Sequence, residues 1–457
     1  MTRRNFVPGS GLILSGTAAA PAAPAAPAAP AAPAVSAVSA VSAVSAVSAV
    51  SAVSNAYANG TDETIKAVLI GCGGRGTGAA ANFLKNPNTK IIAVGDVFPD
   101  QTERAVERYG LPKEAGFTGF DAYRKAIDHA VANGAVYAIL TTPPGFRPIH
   151  YKYAIEKGLN CFLEKPCCVD SYGYRMLMEV NKLADEKGLK VGVGMQRRHQ
   201  KVYLDGLRQI LEEKKYGDIM YANVYWNMGG IPVRGTGEEP TEMQRQIRNR
   251  YFFVWLCGDN ILEQHVHNLD IGNIVLGNWD PLYHPVKCNG MGGRAPRYFG
   301  GATPRVGEIF GYHFVEFEYG DGRRMYSQSR QLGGTWNCVN EFVYGTKGGG
   351  QVARARVRGE KLLDPYDVEH TDLINAIKQN TPYNEGWAGA TASMIGIMGR
   401  MATYSGRVIS WDEAVNHGKT YMIYENHDAL TLESDPPVLP NADGLYDAPI
   451  PGVTKEV

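Results

Sequence analysis

Short apolar runs, separated by amphipathic stretches, set the rhythm of the chain from residue 65 to about residue 195. Ala67–Ile70, Ile91–Gly95, Ala135–Leu140, Asn160–Leu163 and Lys190–Gly194 read as strands. Apolar runs this short, without alternation, belong to strands buried on both faces, as in a parallel sheet. Between them, Ala79–Leu84, Gln101–Tyr109, Tyr123–Ala132, Ile149–Lys157 and Ser171–Lys187 read as helices, with Gly158 as a stop signal. Strand and helix in alternation predict a doubly wound, parallel α/β domain over residues 65–195. Beyond about residue 200 the rhythm changes. Ile219–Trp226, His313–Glu318 and Met325–Arg330 read as strands, and from His313 to Tyr319 apolar and polar positions exchange at period two. That is the pattern of a half-buried antiparallel strand. Asp321-Gly322 reads as a hairpin turn. Thr371–Gln379 and Ala388–Ser405 read as helices, the latter with Met394, Met398 and Met401 as packing residues. The expectation is an α+β domain over 196–430, a largely antiparallel open sheet with helices on one face, followed by a C-terminal tail over 431–457.

The first strand runs into Gly71-Cys72-Gly73-Gly74-Arg75-Gly76 and then a helix. Strand, G-x-G-x-x-G and helix form the context in which this motif binds a dinucleotide. Gly71 allows the tight turn, Gly73 and Gly74 leave room for a pyrophosphate, and Gly76 lets the helix pack close to the strand. The helix N-terminus presents free N–H groups to the phosphates. The second strand ends at Asp96, 20 residues past Gly76, where a carboxylate reaches the ribose hydroxyls. A 2′-phosphate would meet that carboxylate, which favours NAD over NADP, although Arg75 could bind phosphate and soften the preference. The alternative is a glycine-rich turn that binds nothing. Ligands of open α/β sheets gather at the carboxyl ends of strands. Thr142-Pro143-Pro144 through His150, and Glu164-Lys165-Pro166, are therefore expected to border the cofactor.

Composition adds limits. The chain has 457 residues, with 46 basic and 46 acidic side chains. Nothing in this balance suggests a nucleic-acid surface. No apolar run reaches the roughly 20 residues that span a bilayer. Twenty-five Tyr against fourteen Phe, with six Trp, point weakly to surfaces that bind sugars. The seven Cys form no C-x-x-C and are read as small buried residues, with no bridge between Cys167 and Cys168. Ahead of the first strand, Arg3-Arg4-Asn5-Phe6, an apolar stretch and Ala18-Ala19-Ala20 look like a twin-arginine export signal. Ala-Ala-Pro and Ala-Val-Ser triplets fill the gap to about residue 64 as a low-complexity spacer. The chain is expected to be exported to the periplasm, without a lipid or membrane anchor.

At Glu164-Lys165-Pro166, placed after this nucleotide fold and before an antiparallel sheet, the chain resembles the Gfo/Idh/MocA oxidoreductases. The resemblance covers about residues 65–415. It also rests on Thr142-Pro143-Pro144 and on the stretch from Gly258 to Asp270, which contains Glu263-x-x-x-His267. It implies NAD(P) as cofactor, expected to be tightly bound because it would travel with an exported folded protein, a sugar or glycoside substrate, and a dimer or tetramer paired through the open sheet face. It also implies that Lys165 lies between nicotinamide and substrate and that His267 is the catalytic histidine. Glu263 stands where the family has Asp, one methylene shorter, and would bind a neighbouring sugar hydroxyl. His265 stands where the family has a small residue. If the segment is helical, Glu263 and His267 share a face. If it is extended, Glu263, His265 and His267 could hold a metal, but helix is the reading adopted, with no metal expected.

Oxidising a sugar alcohol requires a hydride acceptor and a proton acceptor. His267 is the expected base, because imidazole exchanges protons near neutrality. Lys165 would stabilise the alkoxide, or act as the base if burial lowers its pKa. Arg197, His199, Trp226, Asn227 and Tyr251 are further candidates for substrate contact, with the alternative that Trp226 packs the sheet. Three functions follow from these residues: an NAD(P)-dependent sugar oxidoreductase, a glycosidase that oxidises and re-reduces its substrate, and a non-catalytic sugar-binding protein.

Overall fold

The computed structural model describes residues 64–233, 239–294 and 305–457. The expected export signal and spacer lie outside the described residues. The first sheet contains β1 (Ile65–Ile70), β2 (Thr89–Asp96), β3 (Gly116–Thr118), β4 (Tyr137–Leu140), β5 (Asn160–Leu163) and β6 (Val191–Val193). Its helices are α1 (Gly74–Leu84), α2 (Pro99–Tyr109), α3 (Ala122–Ala132), α4 (Arg147–Glu156) and α5 (Ser171–Glu186). The strands are parallel, in the order β3-β2-β1-β4-β5-β6. β1 and β4 are buried along nearly their whole length, which explains why they read as uninterrupted apolar runs. Backbone bonds continue the sheet one residue past each strand: Gly71 N to Gly95 O at 2.8 Å, Thr141 N to Ile70 O at 2.9 Å, and Glu164 N to Leu140 O at 2.9 Å. The glycine turn, Asp96, Thr141-Thr142 and Glu164-Lys165 therefore emerge on one edge, the carboxyl ends of the strands.

The remaining elements are α6 (Lys201–Leu211), β7 (Ile219–Met228), α7 (Glu242–Arg248), α8 (Val254–Cys257), α9 (Asn260–Glu263) and α10 (Val266–Gly277). They are followed by β8 (Lys287–Gly293), β9 (Tyr312–Glu318), β10 (Arg324–Gln331), β11 (Cys338–Gly345), β12 (Gly348–Gln351), α11 (Pro365–Gln379), α12 (Gly386–Ser405), β13 (Ile409–Ser410) and α13 (Trp411–His417). The second sheet has the order β12-β11-β7-β10-β9-β8-β13. It is antiparallel except where β10 runs parallel to β7. Asp321-Gly322 lies in the turn between β9 and β10, with Gly322 at φ +85. One face packs on α10 and α12. Gly272 of α10 lies so close to the sheet that an added Cβ would be 3.0 Å from Val224.

The two sheets share helices. α11 returns from the second half to the first sheet, burying Leu373, Ile374 and Ile377 in one cluster with Ala79, Phe83, Tyr137 and Phe162. Each such side chain contributes about 1.5–3 kcal/mol. A third cluster joins Phe98, Phe120 and Phe146 from the first sheet's loops to Phe252–Cys257, Tyr404, Met422 and Tyr446. All seven cysteines are free, and six of them are buried. No helix among the described residues is long and apolar enough to cross a membrane.

Candidate active site

The glycine turn has the shape a pyrophosphate needs. Gly71 has φ +92, and a Cβ there would lie 2.8 Å from Thr142 N. At Gly76 a Cβ would lie 1.8 Å from Gly71 O, whereas at Gly73 and Gly74 nothing lies within 4 Å. The first two positions hold helix and strand together, and the second two leave open space. α1 has no side-chain cap hydrogen bond at its N-terminus, so its first N–H groups are available to an anion. Asp96 Oδ2 accepts from Cys72 N at 2.7 Å and Oδ1 from Phe98 N at 2.9 Å. These bonds orient the carboxylate and leave each oxygen one lone pair. Burial raises its pKa from the ordinary aspartate value, against the backbone bonds that lower it.

A cavity of about 530 Å³ opens along this edge. Gly71, Gly73, Gly74, Arg75, Gly76, Asp96, Thr142, Pro143, His150 and Tyr251 all lie in its wall. Pro144 is buried beside it, where the loop meets α8: Gly145 N donates to Leu256 O at 3.3 Å. The Arg75 side chain turns along the edge. Its Nε is paired with Glu164, its Nη2 lies 3.5 Å from Glu369, and the guanidinium covers the Tyr366 ring at 4.7 Å. Arg75 is thus committed to the Glu164 end of the sheet and stands away from Asp96. Burial opposes its charge, but Glu164 outweighs that cost and raises its pKa.

Lys165 and Glu263 meet just outside the lining of this cavity, one residue from Glu164, whose partner Arg75 is part of that lining, and His267 is near enough for the Lys165 charge to act on it. Lys165 Nζ donates to the Glu263 carbonyl and lies 3.9 Å from its Oε1. Glu263 Oε2 and His267 Nδ1 are buried without a hydrogen-bond partner. Burial lowers the Lys165 pKa, against the opposing pull of Glu263. Burial also raises the Glu263 pKa, with Lys165 opposing. Burial and then the Lys165 charge hold His267 well below 6.5, so it is neutral and able to accept a proton at pH 7. Arg250, which lines the cavity, is close enough to act on Glu263 electrostatically.

The second sheet explains why this segment is held so firmly. Residues 259–268 form two helices, α9 and α10, broken at Gln264-His265. Polar residues on the sheet's inner face clamp both. Ser329 Oγ donates to Asn260 Oδ1 at 2.8 Å, and Ser327 Oγ lies 2.8 Å from His265 Nε2. Glu341 accepts from Asn268 Nδ2 at 2.6 Å. Asp259, with φ +79, caps α9 and accepts from Phe310 N at 2.9 Å and from Tyr404 OH. His265 therefore packs on the sheet, away from Glu263 and His267. No metal-holding cluster of His, Cys, Asp or Glu occurs among the described residues.

The remaining candidates divide. Trp226 faces inward, its ring 6.3 Å from that of His267. Arg197 lies 5.9 Å from the Trp226 ring, but its guanidinium is paired with buried Glu341. His199 is 2.7 Å from Asp372 and 3.2 Å from Glu385. Burial disfavours its charge, yet Glu385 and Asp372 outweigh this and raise it to about 10. It clamps α11 and the start of α12 and makes no contact with the Lys165 cluster. Asn227 lies one residue past Trp226 on a strand, so its side chain falls on the opposite face; there it donates to Gln328 at 3.1 Å. Asn227 and His199 are accordingly set aside as substrate contacts.

Several residues here carry no motif. Arg147, buried in α4, donates to both the Pro166 and Thr142 carbonyls, tying the Lys165 turn to the Thr142 loop. Arg248, Arg250 and His427 also line the cavity. Only a buried arginine placed just after Thr142-Pro143-Pro144 could have signalled the first of them.

Residues 65–195 match the model of an oxidoreductase family with an NAD-binding Rossmann fold, GFO_IDH_MocA. Over that span the chain is similar to the Gfo/Idh/MocA oxidoreductases. It is 30% identical over 158 residues to an inositol 2-dehydrogenase of Burkholderia vietnamiensis, covering 34% of this chain and 43% of that protein. It is 32% identical over 127 residues to a glycosyl hydrolase family 109 protein of Porphyromonas gingivalis, covering 27% and 25%. The chain thus spans less than half the length of these curated relatives. Scyllo-inositol dehydrogenase from Lactobacillus casei, solved with NAD(H) and scyllo-inositol, superposes at a TM-score of 0.58 and 18% identity, covering 77% of this chain and 100% of that one. Aldose–aldose oxidoreductase from Caulobacter crescentus gives 0.58 at 16% identity, covering 76% and 100%. At these identities the structures show a shared fold over about three quarters of the chain.

Proposed function

We propose that the chain is an NAD-dependent oxidoreductase that moves hydride between nicotinamide and a hydroxyl-bearing carbon of a sugar, inositol or glycoside. The observation that carries this reading is the Lys165–Glu263 pair, with neutral His267 within reach of the Lys165 charge, linked through Glu164 and Arg75 to a cavity lined by the glycine turn and Asp96. The residues present fit NAD: α1 offers uncapped N–H groups to the pyrophosphate, open space adjoins Gly73 and Gly74, and Asp96 meets the ribose. When bound, the nicotinamide supplies the hydride chemistry. His267, neutral at pH 7, takes the hydroxyl proton on its imidazole. Lys165 stabilises alkoxide charge on the same oxygen, an effect worth about 10²–10³ in rate for one donor. Glu263 Oε2 accepts from an adjacent hydroxyl and fixes the ring. Trp226 flanks His267 and offers an apolar face to a sugar ring. Asp96 at the ribose favours NAD over NADP, and Arg75, paired with Glu164, does not neutralise it.

A redox-cycling glycosidase is the second reading, favoured by the similarity to the family 109 glycosyl hydrolase protein. The same groups would oxidise the sugar, support elimination of the aglycone and return the hydride. Both readings suit an exported protein that leaves the cytoplasm with its cofactor tightly bound. The face of the second sheet opposite α10 and α12 carries Met291, Tyr312, Phe314, Tyr326 and Phe342, and self-association through it would give a dimer or tetramer.

The test uses protein purified without added cofactor. Any bound nucleotide is released and identified, and the protein is then given free sugars, inositols and nitrophenyl glycosides. Oxidation of a free polyol with formation of NADH supports the dehydrogenase. Cleavage of a glycoside with no net NADH supports the cycling enzyme. Failure to bind NAD or NADP, or to turn over any of these compounds, would sink both readings and leave a sugar-binding protein.

A further inference from the structure

The cavity has an end that the reaction does not use. There Phe98 and Phe120, from the loops after β2 and β3, meet Tyr123 of α3 and Phe146 from the loop after β4. Two histidines enter this aromatic chamber. His150 stacks on Tyr123 with ring centroids 4.2 Å apart, and its Nδ1 lies 3.1 Å from Thr142 Oγ1. Its Nε2 is buried without a partner. His427 comes from the irregular segment after α13, and its ring lies 5.9 Å from His150, 5.4 Å from Phe146 and 5.9 Å from Phe120. Only 4% of His427 is exposed, and neither of its ring nitrogens has a partner. Two rings that line the chamber thus carry three buried imidazole nitrogens without partners. Leaving such a buried group unpaired costs about 1–3 kcal/mol.

The segment that delivers His427 is anchored at both ends. Asp428 accepts from Tyr123 OH at 2.9 Å and pairs with Arg124 on α3. Upstream, the N–H groups of Tyr421 and Met422 and the Tyr424 hydroxyl all bind Asp170, at 2.8, 3.0 and 2.8 Å. Residues 421–428 therefore cross from the start of α5 to α3, over the chamber.

We infer that residues 421–428 are a strap that closes the adenosine end of the cofactor cavity, with His427 and His150 hydrogen-bonding the edge of the adenine base. The inference rests on the NAD reading above. Its chemistry is specific. Adenine offers ring-nitrogen acceptors and an exocyclic amino donor, and a neutral imidazole offers one donor and one acceptor. Aromatic walls suit a flat base. Burial holds His427 down at about 4 and His150 well below 6.5, so the pair carries no positive charge for a 2′-phosphate. A strap pinned across the base also slows release, which would let the nucleotide remain bound through turnover.

The test compares the parent chain with His427→Ala, using NAD, ADP-ribose and nicotinamide mononucleotide as probes in calorimetric titrations and stopped-flow release. The expected result is at least about tenfold weaker binding of NAD and ADP-ribose and faster release, equivalent to one lost buried hydrogen bond. Nicotinamide mononucleotide, which lacks the adenosine, should bind as before. Asp428→Ala, which leaves His427 in place but removes the anchor, should speed NAD release while the melting profile still shows a folded protein. Unchanged affinity and release in both variants, with the parent binding NAD, would overturn the strap alone. A parent chain that binds neither NAD nor NADP would overturn the cofactor reading and the strap with it.

Discussion

Asp170 is the residue whose loss should cost the fold most for its size. It is fully buried, caps α5 and gathers four donors. Gly173 N and Tyr424 OH give to Oδ1 at 2.9 and 2.8 Å; Tyr421 N and Met422 N give to Oδ2 at 2.8 and 3.0 Å. In Asp170→Ala the helix loses its cap, which costs about 1 kcal/mol. Two backbone N–H groups of the strap are then left without acceptors, at about 1–3 kcal/mol each where water does not enter. The expected destabilisation is about 4–6 kcal/mol, in the range that only a named structural failure produces. Asp170→Asn keeps Oδ1 as an acceptor but turns an amide NH₂ toward the Tyr421 and Met422 donors, so it should recover less than half of the loss. Denaturant unfolding followed by tryptophan fluorescence measures the change, and limited proteolysis reads the strap directly. In Asp170→Ala, cleavage within residues 418–430 should precede global unfolding. A loss below 1 kcal/mol, with the segment still protected, would show that the strap is held by its apolar contacts and not by this carboxylate.

Gly76→Ala places a methyl carbon 1.8 Å from Gly71 O; α1 must move off β1, with an expected cost of about 1–3 kcal/mol and loss of NAD binding by titration. His199 gains affinity for its proton on folding, from 6.5 to about 10. Its contribution is therefore complete below pH 6.5 and is lost as pH rises toward 10. His199→Gln should flatten that decline, worth about 3 kcal/mol after discounting for half-exposed Asp372, in denaturant midpoints measured from pH 6 to 10. Lys165→Met and His267→Asn should each lower kcat by about 10²–10⁴ while NAD still binds. Loss of the acidic limb of the pH–rate profile in His267→Asn, but not in Lys165→Met, is expected if His267 is the base.

What the sequence disclosed, and what it hid, follows from the range of the interactions. β5 was bounded correctly at Asn160–Leu163, and β1 and β4 were placed within two residues, because burial on both faces leaves an uninterrupted apolar signature. The glycine turn was legible because its steric demands are local: Gly71, Gly73 and Gly76 lie within one turn of chain. The clamp on Glu263 and His267 was not legible. Ser327, Ser329 and Glu341 read as ordinary polar positions in strands, and only the pairing of β10 and β11 with β7 brings them beneath α9 and α10. Asn227 shows the same limit from the other side. It is adjacent to Trp226 in sequence, but period two puts it on the far face, and which face meets the site depends on how the sheet packs. The strap is the extreme case. Residues 418–430 have no periodicity, and their placement depends on Asp170 and Tyr123, about 250 and 300 residues away in the chain. Local propensity carries no information about such a contact. What marks it instead is placement: two histidines, 277 residues apart in the chain, brought within 5.9 Å of each other in the wall of one cavity, with imidazole nitrogens buried and unpaired.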